Sequence, residues 1–183
     1  MAPVTVDGEQ VKLAVITYKP AGNGPFPTLV FHHGSALRDI DAVTPVLLAQ
    51  PFVDRSRFVV GGQSRGGVLT VAWAGLHPEM PRAAINFVGG WMGEGCSTAK
   101  QINQTLFKRG ATYPQPMLWL YGDRDRFYSL AHSHSNFDAF QAAGGRGTFN
   151  EFAPPDGVNG HSISGYPALW ADKVASYLAE RGL

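Results

Sequence analysis

The sequence predicts an α/β protein built on a mostly parallel sheet flanked by helices. Three observations lead there. Short β-branched and aromatic runs alternate with stretches of helical periodicity, glycines and prolines fall mainly between these runs, and one glycine-rich turn joins a strand directly to a helix. The 183 residues, 44% of them hydrophobic, suffice for one sizeable core and are too few for two ordinary domains, so 1–183 reads as a single domain.

The elements follow in order. "VKLAVITYKP" (11–20) and "FPTLVFHHG" (26–34) read as two paired strands joined by the turn-rich "AGNGP". A helical pattern at 37–50 leads to a strand at 57–61, a helix at 64–76, a strand at 83–89 and a weaker helix near 99–108. A strand at 117–121, a helix near 130–143, a strand near 147–152 and a last helix at 167–181 complete the alternation. In that last helix Leu169, Trp170, Val174, Tyr177 and Leu178 fall close to the spacing of one buried stripe, which assigns it to packing.

Composition narrows the function. Fifteen basic and fourteen acidic residues give a net charge of +1 with no block of like charge, so nucleic acid is not an expected partner. No apolar run approaches the roughly 18 residues of a membrane-spanning helix, and "MAPVTVDGEQ" lacks the basic and apolar regions of a signal peptide, so the chain reads as soluble and unexported. Cys96, the lone cysteine, excludes an intrachain disulfide and a cysteine-rich zinc site. It fits a cytoplasmic chain and equally a mature secreted or periplasmic form cut from a longer precursor.

The chemistry concentrates at "GGQSRGG". Gly62-Gln63-Ser64-Arg65-Gly66 matches G-x-S-x-G directly after a hydrophobic strand and directly before a helix. Such a turn holds the serine in a strained conformation, and side chains two positions to either side would collide with strand and helix. Ser64 is therefore the candidate nucleophile, the rival reading being a small residue in a glycine-rich bend. A serine hydroxyl needs a histidine base, itself oriented by a third group. In the chain order that accompanies this elbow, the acid follows a later strand and the histidine comes last. "LWLYGDRD" places Asp125 just past a strand end, favoured over its neighbour Asp123, and "NGHSISG" places His161 shortly before the final helix. His132 and His134 read as solvated surface or N-terminal-turn residues of a helix, and His77 as a structural residue at a helix end, where its charge suits the dipole.

Acyl transfer also needs donors at the developing oxyanion. The backbone amides of Arg65 and of Ser35, in the "HHGS" loop shaped by His33 and Gly34, are the candidates, the alternative for that loop being a plain strand-end turn. Trp91, past another strand end, is expected to form a pocket wall or to be a packed surface tryptophan. Arg65 is expected to pair with a protein acid in preference to a substrate carboxylate.

Taken together, "HHGS", "VDRSRFVVGGQSRGG", "INFVGGWMGEGC", "LWLYGDRD" and "NGHSISGYPALW" resemble a bacterial dienelactone hydrolase-like member of the α/β-hydrolase superfamily, over nearly the whole chain. The resemblance implies a triad of Ser64, Asp125 and His161, an oxyanion hole from the amides of Ser35 and Arg65, and ester hydrolysis with no cofactor and no metal. Dienelactone hydrolases proper use a cysteine where this chain has Ser64, which favours a serine carboxylesterase over the dienelactone reaction.

The chain also departs from its look-alikes in length. They place a further helix, strand and long loop between the oxyanion loop and the elbow, whereas "HHGSALRDIDAV" passes straight into the helix that precedes the elbow. A strand, helix, strand crossover still fits that interval. The first strand is then expected to pair directly with "TLVFHHG", giving a six-stranded sheet with one antiparallel edge. The missing helix leaves part of one face uncovered, which predicts self-association, reorganised packing or marginal stability, and a shallower, more open site suited to short acyl chains or accessible polyester ends. The expected function is a serine carboxylesterase acting on small or short-acyl esters through an acyl-enzyme. The rivals are a non-catalytic hydrolase-fold binding protein and a thioesterase or peptidase using the same residues.

Overall fold

The computed structural model of the chain describes residues 2–34 and 36–183. β3 (Phe26–His32), β4 (Val53–Gln63), β5 (Ala83–Phe87), β6 (Met117–Gly122) and β7 (Gly147–Phe152) form a five-stranded sheet in that spatial order, and every pairing is parallel. The connecting helices are α1 (Leu37–Leu48), α2 (Arg65–Leu76), α3 (Ala99–Lys108) and α4 (Leu130–Ala142), with α5 (Pro167–Ala179) following the last strand. Each expected strand and helix from residue 26 onward is present, with ends shifted by a few residues.

The N-terminal expectation is corrected. β1 (Ala2–Val6) and β2 (Glu9–Leu13) form a separate antiparallel hairpin in the register Ala2↔Leu13 to Val6↔Glu9, and residues 14–25 have no regular structure. The cause is local. Asp7 and Gly8 both adopt positive φ, 50° and 84°, the pair that a two-residue turn matching strand twist requires. That short turn satisfies β2 within its own hairpin and leaves β3 as a free edge. The sheet therefore has five parallel strands, in place of six with an antiparallel edge.

Because the strands are laid down in sequential order and parallel crossovers share one hand, all four connecting helices fall on the same face. Among them α2 is buried from Gly66 to Ala74. Asp41 of α1 ties it to its neighbour by accepting from Trp73 Nε1 and bonding His77 Nε2, both at 2.7 Å, so His77 is held in structure at the end of α2. Among the described residues, α5 is the one α-helix on the opposite face. Its Tyr177 hydroxyl reaches the backbone of Ala84 and Pro116, and its Trp170 packs edge-on against Phe87. One helix does not cover that face. Leu29 and Phe31 on the edge strand β3 remain 52% and 45% exposed, as the missing segment led one to expect.

β3 also carries a pH-sensitive residue. His32 Nε2 lies 3.0 Å from Thr70 Oγ1, its Nδ1 has no partner among the described residues, and burial followed by the charge of His33 lowers its pKa to about 4. The folded protein therefore keeps His32 neutral where the unfolded chain, near 6.5, binds a proton. This contribution to stability is present above pH 6.5 and is lost as pH falls toward 4, amounting to about 3 kcal/mol at the acid end. Urea unfolding at pH 7.5, 6 and 4.5 is expected to show that loss, and His32→Gln to flatten it. An equal slope in the variant would assign the acid sensitivity to other groups.

Candidate active site

The carboxyl ends of the parallel strands bring the candidate residues to one edge of the sheet, where ligands of such sheets bind. Ser64 follows β4 and starts α2 at φ 57° and ψ −121°, a conformation seldom adopted by a residue with a side chain. Its backbone is pinned from two sides: its N–H donates to the Phe87 carbonyl at 3.0 Å, and its carbonyl accepts from Gly90 N–H at 3.1 Å. The flanking glycines are a steric necessity. A Cβ on Gly62 would lie 2.5 Å from Gly66 carbonyl atoms, and one on Gly66 would lie 2.1 Å from the His32 carbonyl oxygen. Arg65 N–H opens α2 and belongs to the donors that a helix leaves without intrahelical partners. Ser35, its expected companion, lies outside the described residues.

Asp125 and His161 come together across 36 residues, with His161 Nδ1 at 2.8 Å from Asp125 Oδ2. The Asp125 side chain is wholly buried and its other oxygen accepts from the backbone N–H groups of Phe127 and Tyr128, at 2.8 and 3.2 Å. Asp123 spends its carboxylate on Arg124 N–H in the turn that turns the chain at the end of β6. The His161 ring lies against Phe127 and Tyr128, centroids 4.7 and 5.5 Å away, with its side chain 16% exposed.

Three residues that the sequence reading passed over hold this arrangement. Gln63, next to Ser64, donates to the His161 carbonyl at 2.8 Å and accepts from Ser164 Oγ at 2.6 Å, tying the elbow to the histidine loop. Asn159 accepts from both His161 N–H and Arg126 N–H at 3.1 Å, joining that loop to the segment carrying Asp125. Tyr128, buried, donates to the Gly90 carbonyl at 2.8 Å. Burial raises the pKa of its phenol and the adjacent Ser64 hydroxyl opposes the rise, so it stays protonated at neutral pH. Only Asn159 carried a signal in the sequence, an Asn two positions before the candidate base, where its side chain can bond the backbone.

One expectation is corrected. Arg65 makes no ion pair among the described residues. Its guanidinium lies 5.2 Å from the centre of the Trp91 ring, a cation-π arrangement that replaces the expected acid. Of the two readings of His132 the structure has the N-terminal-turn one: its backbone N–H donates to the capping Ser129 Oγ at 3.2 Å, it is half-buried with Nε2 bonded to Asn103 Nδ2 at 3.0 Å, and burial lowers its pKa. His134 pairs with Glu151 at 2.6 Å on the surface. Buried Asn103 accepts from the N–H groups of Trp91 and Met92 at 2.9 and 3.0 Å and donates to the Met92 carbonyl, so the loop bearing Trp91 is clamped to α3. Among the described residues no three His, Cys, Asp or Glu side chains converge as a metal ion would require, and no helix is long and apolar enough to cross a membrane.

No protein-family model matches the chain, and neither does any curated protein. Solved structures do. SOBER1 from Arabidopsis thaliana aligns with a TM-score of 0.54 at 20% identity, over 80% of this chain and 63% of that one. A candidate dienelactone hydrolase from Klebsiella pneumoniae subsp. pneumoniae gives 0.50 at 22% identity, over 80% and 58%. An esterase/lipase from an uncultured bacterium gives 0.52 at 19% identity, over 80% and 60%. The chain has the α/β-hydrolase fold and spans less than two thirds of each of these three proteins.

Proposed function

We propose that this α/β-hydrolase fold carries a serine carboxylesterase acting on small esters. The observation that supports it most is the buried Asp125 bonded to His161 Nδ1 at 2.8 Å, at the same sheet edge as a serine in a strained strand-to-helix turn. In this reading Asp125 fixes the histidine tautomer with the proton on Nδ1, leaving Nε2 free as the base. His161 takes the Ser64 proton as Oγ bonds to the ester carbonyl carbon. The resulting oxyanion is met by the amides of Arg65 and, by its place in the sequence, Ser35. His161 then gives its proton to the departing alkoxide as the carbon-oxygen bond breaks. Water, deprotonated by the same histidine, releases the acid and regenerates Ser64.

The test is a panel of matched substrates: p-nitrophenyl esters, an acyl thioester and an acyl anilide, offered to the purified chain. Ester turnover with little on the anilide supports the proposal. Preference for the thioester reassigns the leaving group, and a folded protein inert to all three is a binding protein.

The uncovered face bears on assembly. Leu29 and Phe31, both exposed on the free edge of β3, favour a homo-oligomer that buries them. Sedimentation velocity is expected to show concentration-dependent association that Leu29→Gln with Phe31→Gln abolishes. A wild-type chain that stays monomeric at every concentration would remove this part of the proposal.

A further inference from the structure

The missing segment led to the expectation of a shallow, open site, and the structure has an open, apolar-walled cleft near the Ser64 turn. A cavity of about 610 Å³ opens between α1 and α3, walled by Leu37, Leu69, Trp91, Ile102 and Leu106. That volume lies within the range of small-molecule sites and far below what a folded partner needs. Its polar groups sit on α3, at Thr98, Gln101 and Thr105.

Two lining residues place the cavity near the candidate site: Leu69 lies one turn along α2 from Arg65, and Trp91 directly follows Gly90, whose N–H bonds the Ser64 carbonyl at 3.1 Å. Trp91 is a fixed wall, since Asn103 holds its N–H at 2.9 Å and the Arg65 guanidinium covers its ring. Leu37 of α1 lines the cleft together with Ile102 and Leu106 of α3.

We infer that this cleft is the acyl pocket and that it takes unbranched acyl chains longer than acetyl, lying along Ile102 and Leu106 of α3. The inference rests on the proposed esterase reading for its chemistry but not for its binding. Each methylene moved from water to an apolar wall contributes about 0.8 kcal/mol, close to fourfold in affinity, so chain length is a sensitive probe.

Two measurements test it. In the first, kcat/KM is compared for p-nitrophenyl acetate, butyrate, hexanoate and octanoate. The wild-type chain is expected to favour hexanoate or octanoate over acetate by at least tenfold. Ile102→Trp, which fills the cleft, is expected to remove that preference. In the second, independent of turnover, calorimetry follows sodium octanoate binding to the wild type and to Ile102→Trp, with at least tenfold weakening expected in the variant. Should the tryptophan variant not fold, Leu106→Ala, which lengthens the cleft, is expected to shift the optimum to a longer chain. An acetate preference untouched by these variants, or octanoate binding indifferent to Ile102→Trp, overturns the inference even if esters are hydrolysed. Octanoate binding that Ile102→Trp weakens, in a protein inert to every ester, upholds the pocket and rejects the esterase reading.

Discussion

Ser64→Ala is expected to lower kcat for p-nitrophenyl butyrate by at least about 10⁴-fold, leaving the fold intact and KM little changed, because the proposed acyl-enzyme has no other oxygen to form on. The substitution is structurally mild. Alanine meets the same positive φ as serine, and the backbone bonds that pin position 64, to Phe87 and from Gly90, do not involve the hydroxyl. Ser64→Gly separates strain from chemistry. It is expected to be equally inactive yet more stable by about 1 kcal/mol, since glycine adopts φ 57° and ψ −121° without the penalty a Cβ incurs. Wild-type turnover persisting in Ser64→Ala would mean that another group attacks the ester.

Asp125→Asn is expected to cost about 10⁴-fold in kcat with the protein still folded. The amide has the carboxylate's shape and keeps one oxygen for the Phe127 and Tyr128 N–H groups, but it turns an N–H toward His161 Nδ1 or leaves that nitrogen with the wrong tautomer. Asp123→Asn is the paired control. That carboxylate is exposed and bonded to the adjacent Arg124 N–H, so activity within about twofold of wild type is expected. Kinetics of the two variants side by side decide between the neighbours, and a larger loss in Asp123→Asn would reverse the assignment.

Much of this was legible before any coordinates. The alternation of elements from residue 26 onward follows from hydrophobic periodicity and turn residues within windows of a dozen positions. The elbow at Ser64 was legible because its glycines answer a local steric demand, seen in the 2.1 Å approach that a Cβ on Gly66 would make to the His32 carbonyl oxygen. The hairpin at Asp7-Gly8 was equally local and was passed over in favour of the apolar run at 11–20, although a two-residue turn with both φ positive outweighs such a run.

The partners of the polar side chains were not legible. Arg65 was assigned an acid and has Trp91; His132 was left between solvent and the first helical turn, with no sign of its bond to Asn103; Gln63 carried no signal and reaches His161 across 98 residues. By itself the sequence determined the class of fold, the order of its elements from residue 26 onward, the strained serine turn and the absence of a covering segment after β3, because each depends on backbone sterics or periodicity within a short span. Only the tertiary structure decided that His161 meets Asp125, that Gln63 and Asn159 hold the histidine loop, and that α1 and α3 enclose a cleft beside Trp91. Those outcomes depend on where whole helices and strands come to rest, which is set by the packing of residues far apart in the chain.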